Sequence, residues 1–372
     1  MAQIPTSELT EGMVFSEPVY VERENLLVPP RIPLRQKDID RLLRWEVNVV
    51  ETEGQILTEA ELKQERQSEV LGKKENVLHD FYVERVEQLG AVFRRVTNEE
   101  EVEQEQVDSI GSELLQQVIS DRNQAVTLIF SDLKFDSQLA LRSVNRTIVS
   151  LVIGLTLKLN SHRLMQLATG RLMHDIGMLQ VSQDIIAKSE KLTNEELAQI
   201  RTHTLIGYQF LAKTIRYPED IALMALQHHE RWDGSGYPRR MKGDQILPLA
   251  RIIAIADVYE AIVQDRPYRA SMIGYTAVKS ILGDNGRHFD PKMLKAFLSS
   301  MGVFPVGSIV QLNDSSIGTV VSPNSDAPLR PKIELLVDAD GGRLDTPQPL
   351  DLLERTQLFI AKAVDLREYA SA

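Results

Sequence analysis

Leu164-Met165-Gln166-Leu167-Ala168-Thr169-Gly170-Arg171-Leu172-Met173-His174-Asp175-Ile176-Gly177 is the stretch on which the fold turns. Leu164, Leu167, Ala168 and Leu172 recur at helix spacing and form an apolar face, and the run ends on a His-Asp pair. The same period continues outward, as in Ile252, Ile255, Ala256 and Tyr259, and predicts an all-helical domain over 126–302. Upstream, residues 1–60 mix β-like runs (Pro18 to Val21, Val47 to Val50) with a helical pattern in Ile39, Leu42 and Leu43, which reads as a small α/β module. Residues 61–125 are polar and acidic, yet Val107, Ile110, Leu114 and Val118 keep a period near 3.6. They read as a helical connector and as the place where a homodimer would form. After Pro305-Val306-Gly307 the period drops to two, in Ser308 to Leu312 and Lys332 to Val337, with turn signals at Asn313-Asp314 and Asp340-Gly341-Gly342. Residues 303–372 are therefore expected to be a small β-rich module, in a chain that is mainly α.

The chain has 372 residues, 43% hydrophobic and 26% charged, a composition that folds into globular domains. Its 42 Lys and Arg against 53 Asp and Glu leave a net charge of −11. That argues against a broad electrostatic grip on DNA or on an anionic membrane. No run approaches the roughly 20 apolar residues of a membrane span, and Met1 to Pro5 carries no basic segment followed by an apolar one. The expected location is the cytoplasm. With no cysteine, any metal must be held by imidazole and carboxylate.

Five of the seven histidines, His174, His203, His228, His229 and His288, fall in the second half of the helical domain beside acidic residues. Adjacent helical residues point about 100° apart, so a His-Asp or His-His pair shares one cavity only at a helix end or across two metals. His174-Asp175 and His228-His229 both stand at such ends. His203 is expected in the first turns of a helix opened by a capping box, Thr193 with Glu196. Asp257 is a lone acid in a nearly apolar helix, where an unpaired carboxylate is costly and a metal is the natural partner. An isolated histidine on an apolar face is usually a hydrogen-bonded core residue; His79, His162 and His288 are not read as ligands, and His162 is expected to face solvent. Six ligands of this kind within about 85 residues are harder to attribute to chance.

Asp233-Gly234-Ser235-Gly236-Tyr237-Pro238 follows the paired histidines, and its glycines permit close backbone approach to a ligand. A plain connector is the alternative reading. Arg266-Pro267-Tyr268-Arg269 lies two to three turns past Asp257, where arginines could fork onto phosphate oxygens.

These motifs together, His174-Asp175-Ile176-Gly177, Lys188 to Glu196, His203, His228 to Pro238, Ala256-Asp257 and Arg266 to Arg269, closely resemble the HD-GYP group of the HD phosphohydrolases. The N-terminal Leu9-Thr10-Glu11-Gly12-Met13 also resembles a module joined to such domains. The resemblance implies a phosphodiesterase that opens cyclic di-GMP to pGpG or GMP by a hydroxide bridging two divalent cations. It implies His174, Asp175, His203, His228, His229 and Asp257 as metal ligands, Asp175 bridging, with His174 and Asp175 at the catalytic centre. Tyr237, Gly236, Arg266 and Arg269 would contact substrate, and diguanylate cyclases are candidate partners. Mixed His and carboxylate ligation suits iron or manganese, with nickel, cobalt or zinc also able to bind.

Three positions depart from the group's pattern. Arg142 stands where a histidine is usual, Gln138 where members with a third metal have glutamate, and Met178 where a phosphate-holding lysine is usual. Two metals are therefore expected, with Arg142, if it points inward, restoring positive charge near the substrate. A competing reading is a catalytically weak cyclic di-GMP receptor that keeps the metal site, and a third is a hydrolase of another nucleotide.

Overall fold

The computed structural model describes residues 2–21, 25–30, 32–45, 47–130, 135–188, 190–264, 270–283 and 286–364, with side chains left aside at 59–76, 263–264, 270–273, 286 and 345. The chain divides into two compact units, 1–80 and 81–372.

Among its described residues the first unit holds a four-stranded antiparallel sheet, a two-stranded one, helix α1 and the start of α2, the small α/β module that its sequence pattern predicts. β1 (Ala2–Pro5), β3 (Val19–Val21), β4 (Asn25–Val28) and β5 (Val49–Thr52) pair in the order β1-β5-β3-β4, and β2 (Val14–Phe15) pairs with β6 (Ile56–Leu57). α1 (Gln36–Arg44) buries Ile39 and Leu42 with Phe15, Val19, Leu34 and Val50. Leu43, read as part of the same apolar pattern, is exposed, because it sits about 100° around the helix from Leu42.

In the second unit the described helices are α2 (Glu59–Thr97, which begins in the first unit), α3 (Gln104–Ser120), α4 (Arg122–Thr127), α5 (Gln138–Thr156), α6 (Ser161–Met173), α7 (Gln183–Ile186), α8 (Asn194–Arg201), α9 (His203–Gln209), α10 (Glu219–Gln227), α11 (Pro248–Gln264), α12 (Ala270–Leu282) and α13 (Pro291–Met301). α3 shows the predicted period, with Val107, Ile110, Leu114 and Val118 buried, but it uses that face inside the bundle. Gly111 lets α3 close on Ala168 and Thr169 of α6, and Thr169 Oγ1 donates to Asp108 at 2.7 Å. From Phe81 onward the expected connector thus belongs to the helical unit, and the apolar stripe of α3 is not free to form a dimer.

α5 is the centre of the bundle, fully burying Ile148, Leu151 and Ile153 and packing against α6, α11 and α13. It is also long and apolar enough to cross a membrane, but 72% of that window is already buried among its neighbours. After α13 come β7 (Ile309–Leu312), β8 (Ile317–Ser322), β9 (Lys332–Val337), β10 (Arg343–Asp351) and β11 (Ile360–Ala363), an antiparallel sheet in the order β10-β9-β8-β7-β11. Its core of Val310, Leu312, Val320 and Ile333 takes in Phe304, which stacks on Tyr275 of α12 with ring centroids 4.9 Å apart. The β-rich module is thereby anchored to the helices.

Truncating Leu151 tests the centrality of α5. Leu151→Ala is expected to cost about 2–5 kcal/mol from lost burial and the cavity left behind, read as a lowered urea midpoint with an unchanged slope.

Candidate metal centre

Three helix ends build the centre. His174 caps α6 and is followed by Asp175, His203 opens α9, and His228 caps α10 and is followed by His229. Each of the three histidines turns Nδ1 back to a carbonyl oxygen three residues earlier: His174 to Arg171 at 2.7 Å, His203 to Ile200 at 2.6 Å, His228 to Ala225 at 2.8 Å. A carbonyl can only accept, so each Nδ1 carries the proton and each Nε2 keeps its lone pair.

Those lone pairs converge on Asp175. His174 Nε2 is 2.8 Å from Oδ2, while His228 Nε2 and His203 Nε2 are 3.3 and 3.5 Å from Oδ1. The two latter nitrogens are 3.2 Å apart. Acceptors facing acceptors at these distances repel unless a cation stands between them. Around a cation with bonds of about 2.1 Å, donor atoms are separated by roughly 3.0–3.4 Å, so the spacing fits a bound metal. Asp175, His203, His228 and His229 each offer an atom, all within 4.8 Å of one another, and His174, His228 and Asp257 form a second such group. All six residues predicted as ligands are brought together.

The electrostatics suit ligation, which requires neutral imidazole and ionised carboxylate. Burial and then the Arg171 charge push the His174 imidazolium down to about 4. Burial lowers His203, with His228 adding to the effect, and holds His229 well below the usual histidine range. Burial works to raise the carboxyls of Asp175 and Asp257, but their partners prevail. Asp175 is held well below its usual range, and Arg171 with Arg146 lowers Asp257.

The local chain explains why these ends meet. The capping box at Thr193 and Glu196 is present, but it opens α8, which stops at Arg201. Thr202 separates it from α9, so His203 stands at a helix start of its own rather than in the first turns of the capped helix. A Cβ on Gly177 would run into the His203 carbonyl, and its absence lets the turn after His174-Asp175 press directly onto α9.

The loop after His229 is held by Glu230, whose buried carboxylate accepts the amides of Arg239 at 2.6 Å and Met241 at 2.8 Å. A Cβ on Gly236 would strike the backbone of His229, Glu230 and Arg231, so this glycine lets the loop fold back on its own start. Tyr237, joined to Pro238 by a cis peptide, stacks on His229 at 4.7 Å and 26°, and the Arg201 guanidinium lies 4.9 Å from the Tyr237 ring centre. Tyr237 and Gly236, with Arg201 and Arg240, line a cavity of about 540 Å³. A second cavity, of about 300 Å³, is lined by Arg146, His228, His229 and Asp257, and also by His288, which is 3.6 Å from Asp233.

Arg266 and Arg269 lie outside the described residues. Arg142 is exposed, as is Gln138, whose amide donates to the Phe135 carbonyl, and Met178 is half-buried. The arginine that enters the centre is one turn beyond Arg142. Arg146 Nη1 donates to Asp175 Oδ2 at 2.9 Å and lies 3.4 Å from Asp257 Oδ1, and its Nε donates to Glu260 at 2.7 Å. Arg171, fully buried, places its guanidinium against the His174 ring and Asp257 Oδ1. Burial lowers Arg171 to about 10, which leaves it charged at neutral pH. Sequence reasoning missed Arg146, Arg171 and Glu260. The available signal was spacing: Glu260 lies one turn from Asp257, and Arg171 one turn from His174.

Residues 115–293 match the family model of the HD domain, and 309–372 that of the KOW domain associated with HD domain. The helical domain is therefore an HD domain. Over 183 residues the chain is 35% identical to the cyclic di-GMP phosphodiesterase PA4108 of Pseudomonas aeruginosa, covering 49% of this chain and 43% of that one. It is 32% identical over 197 residues to the cyclic di-GMP phosphodiesterase PdeB of Borreliella burgdorferi, covering 53% and 52%. The chain thus spans about half the length of these curated relatives. A solved HDG"Y"P protein from Bdellovibrio bacteriovorus aligns over 80% of this chain and 97% of its own at 16% identity, with a TM-score of 0.49. The His-Asp-Ile-Gly motif and the Gly-Tyr-Pro loop both lie within the residues that match the HD domain.

Glu230→Ala should free the loop without touching a ligand. Hydrogen exchange at the Arg239 and Met241 amides is expected to quicken about 10- to 100-fold, matching the roughly 1.5–3 kcal/mol of a hydrogen bond to a charged acceptor, while exchange in β7 to β9 stays unchanged.

Proposed function

We propose that the chain is a metal-dependent phosphodiesterase that hydrolyses cyclic di-GMP to pGpG or GMP. The observation that carries this reading is the convergence of the His174, His203 and His228 Nε2 lone pairs on Asp175, each imidazole oriented by its own carbonyl. The curated relatives named cyclic di-GMP phosphodiesterases support the substrate class. The residues fit a divalent ion, iron or manganese by donor type, with nickel, cobalt or zinc as substitutes. Such an ion would polarise a phosphoryl oxygen and lower the pKa of a coordinated water.

The chain's own residues do the rest. His203, His228 and Asp175 are fixed before any substrate arrives, because helix carbonyls hold the rings. Arg146 brings a guanidinium to the wall of the smaller cavity, where a phosphodiester would sit. Tyr237 and Arg201 offer a stacked ring and a cation beside the larger cavity, suited to a nucleobase and its phosphate. Asp175, His203, His228 and His229 would hold such an ion, and His174, His228 and Asp257 form the second group that the HD-GYP resemblance would fill.

A second reading, a receptor that binds cyclic di-GMP without turning it over, is favoured by Met178 at the position where a lysine is usual. One experiment separates the two. Anaerobically purified protein supplied with Mn²⁺ or Fe²⁺ is expected to form linear product from cyclic di-GMP, and binding without product would favour the receptor. Asp175→Asn should lose metal and turnover together, with metal affinity falling more than about 100-fold, since even changes behind the ligands cost about 10–100-fold. Retention of both would sink the proposal.

A further inference from the structure

We propose that this centre holds one divalent ion rather than two, at Asp175, His203, His228 and His229, and that Arg146 and Arg171 supply in protein form the charge of the second. The inference rests on the metal-dependent reading and departs from its metal count.

The two ligand groups differ in what already occupies them. In the first, Asp175 Oδ1 and the Nε2 atoms of His203 and His228 face one another, and among the described residues no guanidinium or ammonium donates to them. That group lacks a cation. In the second, His174, His228 and Asp257, the donor atoms are taken. His228 has only Nε2 to offer, and that atom already belongs to the first group; Asp257 Oδ1 is in contact with Arg171 and lies 3.4 Å from Arg146, the His174 ring abuts the Arg171 guanidinium, and the neighbouring Asp175 Oδ2 accepts from Arg146 Nη1 at 2.9 Å. Of that set, Asp257 Oδ2 alone is buried without a hydrogen-bond partner. A single carboxylate oxygen is not enough to hold a second divalent ion when His174 and Asp175 Oδ2 are committed elsewhere.

The ion pairs close the second group. Arg146 meets Asp175, Asp257 and Glu260, and Arg171 meets Asp257, so a second ion would lie directly against two guanidiniums. Neither arginine can move aside at low cost. Arg171 is fully buried, and Arg146 is tied to three carboxylates, Asp175 just past the end of α6 and Asp257 and Glu260 on α11.

The test is a metal count on the intact protein. Anaerobic reconstitution with excess Mn²⁺, desalting and plasma mass spectrometry should find about one ion per chain, with the hyperfine pattern of an isolated Mn²⁺ in its electron paramagnetic resonance spectrum. About two ions per chain with an exchange-coupled spectrum would overturn the proposal, whatever the turnover. No bound ion would overturn both this proposal and the metal-dependent function. One ion without hydrolysis of cyclic di-GMP would support the proposal while failing the function, so the two are tested separately. Arg146→Ala, which frees Asp175 Oδ2, is expected to raise the count above that of the parent, and Arg146→Lys, which keeps the charge, is not. Should Arg146→Ala fail to fold, the parent count and spectrum decide the matter alone.

Discussion

The centre depends on one repeated hydrogen bond, from an imidazole Nδ1 to the carbonyl three residues earlier at a helix end. It occurs at His174, His203 and His228, on three different helices. A helix end is where carbonyls lack their usual partner within the helix, so each bond gives a terminal carbonyl an acceptor role and fixes a tautomer at once. The consequence is that stability and ligation are coupled. The groups that finish α6 and α10 and begin α9 are the same groups that offer lone pairs to a cation. Burial adds to this by disfavouring the imidazolium of His174 and His203, so the protein presents neutral ligands.

Close backbone approach is the second constraint. Gly177 lets the turn after Asp175 touch the start of α9, and Gly236 lets the loop after His229 fold back on its own origin. Glu230, between them in sequence, accepts two loop amides with a carboxylate that is itself buried. A motif that reads as a run of ligands is therefore also a run of packing devices. Its glycines and glutamate keep the histidines close enough to share one ion.

Much of the site was legible in the sequence, because its ligands sit in short local motifs at helix ends that hydrophobic period and capping signals can place. The all-helical domain and the β-rich module were legible for the same reason, each having a clear period. What was not legible depends on tertiary contacts. The stripe on α3 gives its helix but not its partner, and only packing reveals that it closes on α6 rather than on another chain. The break at Thr202 is invisible to a capping rule that reads only the start of α8. Helix spacing allows Arg142 to bring charge inward if it points that way, yet Arg142 is exposed and it is Arg146, one turn further along α5, whose side chain faces the carboxylates.

Arg146 and Arg171 alter how the buried acids should be regarded. In sequence Asp257 is a lone carboxylate on a nearly apolar helix, which on its own calls for a metal as partner. In the folded chain it instead meets two guanidiniums brought from α5 and α6. Burial opposes the charge on both arginines, but for Arg146 the three surrounding carboxylates outweigh burial and drive its pKa above the ordinary value, whereas Arg171 remains depressed. A buried carboxylate needs a cation, but the chemistry does not specify which kind. Guanidinium is fixed by the chain and cannot dissociate, whereas a metal must be captured from solution. Where arginines already satisfy half of a ligand cluster, the other half is the place where a metal is still required.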